Sequence, residues 1–528
     1  MKFIARFLYV PLAGLLVLTS CAKEETESYD KFENQALEAW MTQHRSDLVE
    51  NLQSEGLYYI DLLDAGDLAS DPINTEDIWV SFDFSGRDLS GNIILTRNAD
   101  DAVLAGSFSK YTHYVPFYRY CGSENSGLME GTWLAMRRTL TLGDTYFRNN
   151  KDRLGITSPE VTLRYGSKIR LYMPSSVVGN GVEGTGGYEG QEGYSLSSKR
   201  PFIVTMEIRD TVSNPLEREG TDVDDFCELN GGLQIYSKGD DDTPATEVPE
   251  DPEDPEHPYS ETSKRWVSAC DSIPQVYVNV RYNPAEPGDQ LSFPAPYHVG
   301  YEPYVSEASV RDIDMQIAEA LKKRFHGEGD DYEKYEGVKT LEADSVTLEG
   351  TAKIWYIGRF LDGFIFDTNI DEVKQIIYGE VRKTGSAHSY DVQNPDLITA
   401  FYYIVPHLKY GQWATLVTTS TNAYGTTGKS GGSSTSTSSN GYTSSYYDYL
   451  NYLNYSQMYY GNNGYYGGYY NDYYGYGGLG NYGYYGGYYG GYGGNYDSGE
   501  TTTTTKVYTD IPSFSPLIFQ IYIEPDGK

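Results

Sequence analysis

The sequence is short of positive charge and of cysteine. It has 40 Lys and Arg residues against 75 Asp and Glu residues, which gives a formal net charge of −35. Because nucleic-acid binding depends on clustered Lys and Arg that neutralise phosphates, we expect no nucleic-acid partner. The four cysteines and seven histidines form neither a Cys-x-x-Cys motif nor a metal-ligand spacing, so neither a disulfide framework nor a metal site is expected. Whether Cys227 and Cys270 pair is left open.

Long hydrophobic runs are missing beyond the N-terminus. Residues 1–21 have a basic start, an apolar run from Phe7 to Leu18 and a final cysteine, Cys21. The run is too short for a membrane span and is typical of a signal peptide. Its end, Leu-Thr-Ser-Cys, resembles a bacterial lipobox, which implies lipid on Cys21. An ordinary cleaved signal peptide with an incidental cysteine is the alternative.

The acidic residues after Cys21 resemble the tag that sends Bacteroidetes lipoproteins to the outer-membrane surface. The expected location is therefore the outer membrane, with the protein held by lipid on Cys21 and exposed at the cell surface. A periplasm-facing anchor is the alternative. Since no later apolar stretch is long enough to span a bilayer, acyl chains would be the only anchor.

The remaining chain divides by composition and by the spacing of its apolar residues. Residues 29–51 and 309–325 have the apolar spacing of amphipathic helices, and runs of alternating apolar residues predict strands. Asp, Glu and Pro dominate residues 239–264, which predicts an extended linker. The predicted segments are a signal peptide at 1–21, a tether and helix at 22–55, a domain at 56–238, the linker at 239–264, a connecting region with a strand and a helix at 265–335, and a domain at 336–528 with a low-complexity Tyr/Gly-rich insertion at 430–506.

An internal repeat relates the two predicted domains. Gly86 and Gly91 of the first align with Gly358 and Gly363 of the second. Because the aligned segments keep the same order and differ only in the loops between them, we expect two copies of one antiparallel fold. The aligned pairs are Ile78–Ile94 with Gly350–Phe366, Leu163–Ser176 with Leu408–Thr421, and Pro201–Ile208 with Pro516–Ile523.

The second copy carries an ordered set of motifs. They are Tyr356-x-Gly358 with Leu361-Asp362-Gly363-x-x-Phe366-Asp367, then Asp396-Leu397-Ile398-Thr399-Ala400-Phe401, then Lys409-Tyr410-Gly411 with Ala423-Tyr424-Gly425-Thr426-Thr427-Gly428, and finally Ile511-Pro512 with Leu517-Ile518-Phe519. As a set they resemble the signature of FKBP-type peptidyl-prolyl cis-trans isomerases. The resemblance implies an α+β protein with two FKBP-like domains, each an antiparallel sheet curled over one α-helix, plus an N-terminal helix.

The resemblance also implies which residues act, on a proline-containing polypeptide and without a cofactor. Tyr424 would offer its hydroxyl, and Ile398 its backbone N–H, to the substrate carbonyl, while Asp367 would be a hydrogen-bonded carboxylate inside the pocket. Rotation about an X-Pro bond crosses a barrier of roughly 18–20 kcal/mol and requires no nucleophile, only a pocket that favours the twisted amide. The implied catalytic residues are Tyr356, Phe366, Asp367, Ile398, Phe401, Tyr424 and Phe519, and the implied substrate-binding residues are Leu397 and Ile511.

The first copy lacks these residue types. The positions that match Tyr356, Phe366, Asp367 and Phe519 are occupied by Phe84, Ile94, Leu95 and Val204, and the flap tyrosine by Gly179 or Val178. We therefore expect the first copy to be non-catalytic. The second copy itself departs from the family pattern at Phe401, where Trp is commoner, at Ala400, where the helix glycine is missing, and by the insertion in its flap.

Three functions follow from these observations. The first is an isomerase that acts on X-Pro bonds of exported or outer-membrane chains. The second is a chaperone or binding module, because tyrosine and glycine in the insertion combine flat apolar faces with a mobile chain. The third is a non-catalytic docking subunit of an outer-membrane assembly or secretion complex, which the degenerate first copy favours.

Overall fold

Two antiparallel sheets of seven strands each form the framework of the molecule. They are seen in a computed structural model that describes residues 29–53, 58–125, 128–178, 201–233, 266–269, 275–280, 282–285, 293–298, 305–326, 346, 351–381, 384–429, 433–436, 504–507 and 509–525. The predicted signal peptide with Cys21, the linker, Cys270 and most of the insertion lie outside the described residues. The predicted α+β class with antiparallel sheets is confirmed.

Helices and strands are interspersed in both halves of the chain. The helices are α1 (Tyr29–His44), α2 (Ala99–Leu104), α3 (Glu130–Arg137), α4 (Asp144–Leu154), α5 (Pro215–Leu229), α6 (Glu307–His326), α7 (Asp371–Tyr378) and α8 (Thr399–Ile404). The strands are β1 (Leu52–Gln53), β2 (Tyr58–Ala65), β3 (Ile78–Asp88), β4 (Ile93–Thr96), β5 (Phe117–Cys121), β6 (Leu140–Thr141), β7 (Glu160–Val161), β8 (Ser167–Met173), β9 (Phe202–Val212), β10 (Val267–Ser268), β11 (Val276–Asn279), β12 (Thr351–Phe360), β13 (Ile365–Thr368), β14 (His388–Asp391), β15 (Trp413–Thr418), β16 (Ser433–Ser436), β17 (Thr504–Val507) and β18 (Leu517–Ile523).

The two sheets have the same strand order. The first runs β1-β2-β8-β9-β3-β4 with β5 paired to β3, and the second runs β10-β11-β15-β18-β12-β13 with β14 paired to β12. The register agrees with the sequence alignment, because Gly86 lies opposite Val204 and Leu95, while Gly358 lies opposite Phe519 and Asp367. Each glycine is followed by an irregularity in pairing at the same place. Around this glycine the two sheets therefore repeat residue by residue.

Each copy begins with a helix, which the sequence alignment missed. In the first, Glu33 of α1 accepts hydrogen bonds from the backbone N–H and the hydroxyl of Ser175. In the second, Glu219 of α5 accepts the same two hydrogen bonds from Ser420. We therefore call residues 29–212 the first copy and residues 215–525 the second copy.

This division differs from the predicted segments at two places. Helix α5, predicted within the domain at 56–238, packs Val223, Phe226 and Cys227 against residues of the second sheet. Strands β10 and β11, predicted within a connecting region, pair into the second sheet through β15. Helix α5 covers one apolar face of the second sheet, while β10 and β11 extend that sheet at its edge. Cys227 is a buried, free thiol.

The second sheet is buried on both faces. Its inner face, which carries Tyr356, Leu416 and Phe519, packs on α8. Its outer face packs on α5 and α6, with Trp355, Trp413 and Tyr522 against Ile317 and other residues of α6. Every residue of β15 and β18 is buried as a result. Across the described ranges, no helix is both long and apolar enough to cross a lipid bilayer.

The two copies contact each other at one end of the second sheet. The imidazole of His113 stacks on Phe360 and Phe364 with ring centroids 4.3 and 4.6 Å away, and its Nε2 lies 2.7 Å from a carboxylate oxygen of Asp362. Burial opposes ionisation of Asp362, but the charge and hydrogen bond of His113 leave the pKa of Asp362 below its usual value. Nearby, Tyr111 stacks on Tyr378 at 4.2 Å. The first copy thus forms a side-chain interface with the second.

Candidate active site

Three phenylalanine rings form the floor of the candidate site. Phe366 comes from β13, Phe401 from α8 and Phe519 from β18, so three elements converge on one apolar cluster. The rings meet edge to face, with centroids 5.7 Å apart for Phe366 and Phe519 and 5.3 Å apart for Phe401 and Phe519. Gly358 makes room for this arrangement, because a Cβ atom there would lie 2.6 Å from the Phe366 ring.

One wall of the site is polar. The hydroxyl of Tyr356 donates a hydrogen bond of 2.8 Å to Asp367 Oδ2. Burial, reinforced by the charge of Asp367, raises the pKa of Tyr356 well above its ordinary value, so this hydroxyl stays protonated. Asn369 fixes the same strand by accepting from the Tyr356 backbone N–H at 2.8 Å and donating to the Ile354 carbonyl at 2.9 Å. The Asp367 carboxylate is thereby held at a fixed position beside the apolar floor.

Tyr424 lies against the floor, near Asp367. Its ring meets Phe366 edge to face at 6.3 Å, and the Lys429 ammonium lies 5.0 Å from its centroid. Burial raises the pKa of the Tyr424 hydroxyl, and the nearby charge of Asp367 adds to the shift. A protonated hydroxyl is therefore available as a hydrogen-bond donor at the edge of the floor.

The N-terminus of α8 supplies a second donor. Ile398 is the residue that precedes this helix, and no acceptor among the described residues takes its N–H. Leu397 and Ile398 are partly exposed, whereas Phe401 one turn later is 2% exposed. Ile511 is buried in the same apolar cluster, and it exchanges two backbone hydrogen bonds with Lys429.

The structure thus brings all nine residues that the resemblance implied into one place. Four of them are buried in the apolar cluster and four are partly buried against it, with Asp367 attached through Tyr356. Asn369 was not predicted as a site residue. In the sequence, only its position two residues after Asp367 could have indicated it. Strands β16 and β17, near the two ends of the flap insertion, pair with each other. In the described ranges, no three His, Cys, Asp or Glu side chains lie close enough to hold a metal ion.

The same positions in the first copy are filled. Met129 precedes α3 as Ile398 precedes α8, so Thr132 takes the place of Phe401. Met129 and Thr132 are 0% exposed and Phe84 is 2% exposed, where Ile398 and Tyr356 of the second copy are partly exposed. A Cβ atom on Gly131 would collide with the Met173 sulfur, so this methionine packs directly on α3. Flexible methionines fill the core of the first copy: Met41, Met129, Met136, Met173 and Met206.

Comparison with known proteins adds little to this geometry. No family model and no curated protein matches the chain. Among solved structures it is similar to the three FKBP domains of wheat FKBP73, at 9% identity and a TM-score of 0.18 over 89% of this chain and 94% of that chain. It is also similar to a peptidyl-prolyl cis-trans isomerase from Pseudomonas syringae pv. tomato, at 16% identity and a TM-score of 0.21 over 35% and 98% of the two chains.

A third similar structure is FkpA from Escherichia coli, at 12% identity and a TM-score of 0.21 over 40% of this chain and 72% of that chain. These solved structures include one with three FKBP domains and one peptidyl-prolyl cis-trans isomerase. At such low identities and TM-scores the likeness decides nothing about the activity of this chain.

Proposed function

We propose that the second copy is a peptidyl-prolyl cis-trans isomerase and that the first copy is not catalytic. The observation that carries this proposal is the contrast at equivalent positions of the two copies. Where Met129 and Phe84 are sealed in the core of the first copy, Ile398 and Tyr356 reach the surface above three buried phenylalanines. An apolar floor with accessible walls fits the ring of a proline.

The geometry suits the physics of the reaction. As an X-Pro amide twists, conjugation is lost and its charge separation falls, so an apolar floor favours the twisted state over the planar one. The Ile398 N–H and the Tyr424 hydroxyl lie at the rim, where each can donate to a substrate carbonyl that has left the amide plane. Because these donors are held before substrate arrives, they cost little reorganisation. The reaction so described uses neither a nucleophile nor proton transfer.

An exchange experiment on the full chain tests this proposal. The rate of cis-trans conversion of a short proline peptide is measured by NMR line exchange or by a protease-coupled assay. We expect Phe401→Ala to lower kcat/KM by roughly tenfold to a hundredfold, since about 1.4 kcal/mol of lost transition-state stabilisation corresponds to tenfold. Thr132→Ala, at the matched position of the first copy, should leave the rate unchanged. A wild-type chain that does not accelerate the conversion would overturn the proposal.

We further propose that the clients are exported chains and that the protein is a lipoprotein of the outer membrane. The support is the lipobox-like end of residues 1–21 and the acidic residues after it. Labelling with a radioactive fatty acid should mark the wild-type protein, and Cys21→Ser should abolish both the label and recovery with outer membranes. Retention of the label in that variant would contradict lipidation at Cys21.

A docking function is the second candidate, and the filled cleft of the first copy favours it. If the protein only docks, a stoichiometric partner should co-purify from solubilised outer membranes with the Phe401→Ala variant as well as with the wild type. Loss of isomerisation without loss of the partner would assign docking to surfaces outside the cleft.

A further inference from the structure

One buried carboxylate of helix α5 binds the flap of the candidate site, which is the turn at residues 420–425 that carries Tyr424. Glu219 is 2% exposed, and it accepts a hydrogen bond of 2.8 Å from the Ser420 hydroxyl and another from the Ser420 backbone N–H. Ser420 is itself 3% exposed. Two donors on one carboxylate, with water excluded, form a clamp that is costly to break because the buried donors have no alternative acceptor.

Ser420 passes this restraint to the flap tyrosine. Its carbonyl accepts a hydrogen bond from the Ala423 N–H at 2.9 Å and one from the Gly425 N–H at 2.7 Å. These donors are the two neighbours of Tyr424 in the chain, so the turn that carries Tyr424 is fastened on both sides. We propose that Glu219 is a positioning residue, which fixes the Tyr424 hydroxyl above the apolar floor by holding Ser420. This inference rests on the proposed isomerase function.

The first copy contains the same clamp without the tyrosine. Glu33 accepts from the Ser175 N–H and hydroxyl, each at 2.6 Å. The positions that follow Ser175 carry Val178 and Gly179 instead of a flap tyrosine. The clamp therefore belongs to the scaffold of both copies, and only the second couples it to a side chain at an accessible floor. This makes Glu33 a matched control for Glu219.

The spacing within the two helices repeats as well. Glu33 is followed by Leu37, Trp40 and Met41, and Glu219 is followed at the same intervals by Val223, Phe226 and Cys227. These residues lie on the side of each helix that packs against its sheet. The packing of each helix on its sheet thus fixes where the glutamate lies relative to its serine. A shift of α5 on the second sheet would therefore move Ser420 and the turn that carries Tyr424.

Amide hydrogen exchange on the full chain tests the clamp directly. Glu219→Ala should speed exchange of the Ser420, Ala423 and Gly425 amides by at least tenfold, since each lost hydrogen bond of about 1.4 kcal/mol corresponds to that factor. Glu33→Ala should leave these three amides unchanged. Glu219→Gln keeps one acceptor for Ser420, so it should restore most of the protection, and it serves as the test if Glu219→Ala does not fold.

Isomerisation of a proline peptide measures the consequence. Glu219→Ala should lower kcat/KM about as much as Tyr424→Phe, roughly fivefold to tenfold each, and the double variant should be little worse than either single one. Glu33→Ala should keep the wild-type value. Multiplying effects in the double variant, or unchanged exchange in Glu219→Ala, would overturn the role of Glu219. Should the wild type prove inactive, the proposed function fails, while the exchange result still decides whether Glu219 holds the flap.

Discussion

The two copies follow the same path, but only the second buries the part of its outer face that lies beneath α6. In the second copy, Trp355, Trp413 and Tyr522 lie on the outer face beneath α6. The pairing registers place Asp83, Lys168 and Glu207 at the same three positions of the first copy. There, Lys168 and Arg209 form ion pairs with Glu207 at 2.8 and 2.6 Å, and Arg209 pairs with Asp83 at 2.7 Å. This part of the outer face, which α6 covers in the second copy, is a core there and a polar surface in the first copy.

On the inner faces, by contrast, the first copy is the more completely buried of the two. The first copy closes its inner face with methionines and a threonine, whereas the second leaves Ile398, Tyr356 and Tyr424 partly exposed around phenylalanines. Side chains left partly exposed on the inner face contribute less packing there. In the second copy, α5 and α6 bury apolar side chains on the outer face instead. The comparison teaches that the second copy depends on residues 215–326 as much as on its motifs.

Removing that cover should have the largest effect. A fragment of residues 336–528 lacks α5, α6, β10 and β11, so its outer-face aromatics would face water. We expect it to show no cooperative unfolding transition, whereas residues 215–528 should retain one. Circular dichroism during urea unfolding measures both. A cooperative transition in the shorter fragment would show that the outer-face helices are dispensable.

A matched pair of substitutions sharpens the same comparison. Trp413 is 2% exposed and its ring lies 5.2 Å from Tyr522, so Trp413→Ala should reduce the free energy of unfolding by about 3–5 kcal/mol. Lys168→Ala removes only a partly exposed ion pair at the equivalent position and should cost less than about 1 kcal/mol. Equal losses in urea titrations would contradict the assignment of one face as core and the other as surface.

The smallest expected effect concerns pH. Burial raises the pKa of Glu219 to about 7, although the Ser420 hydrogen bonds oppose the shift. Between about pH 4.5 and 7 the folded chain then retains a proton that the unfolded chain has lost, so stability falls as pH rises through this window. Asp222, whose pKa burial raises to about 6, acts in the same direction.

Comparing Glu219→Gln with the wild type isolates the contribution of Glu219, because Asp222 is present in both. The variant should flatten the decline in unfolding free energy across this window by roughly 1–3 kcal/mol. Parallel curves for the two proteins would show that Glu219 is not protonated in the folded state near pH 6.

The sequence predicted the site better than its surroundings. The nine site residues could be found because their motifs are local, and the predicted helix at 309–325 is observed at Glu307–His326. The link between Glu219 and Ser420 spans 201 positions, and no local pattern reveals such a contact. The sequence predicted a non-catalytic first copy from Phe84 and Ile94. It did not predict a filled cleft, because Met129 and Thr132 could be matched only once α3 and α8 were seen to be equivalent.

The boundaries were harder to predict for a related reason. Strands buried on both faces, such as β15 and β18, lose the alternation that distinguishes core from surface. The strand pattern therefore did not indicate that α5 and α6, which lie outside the predicted domain at 336–528, cover the outer face of its sheet. Residues 265–335 looked like a connection because their strands are short and pair with strands that are distant in the chain.

The most direct test of an open cleft in one copy and a filled cleft in the other is a chemical-shift titration. A proline-containing peptide is added to the full chain while the amides of both copies are followed by NMR. The amides of Ile398 and Tyr424 should shift with added peptide, while those of Met129 and Gly131 should stay in place. Shifts at Met129, or a titration that leaves Ile398 and Tyr424 unmoved, would contradict the account.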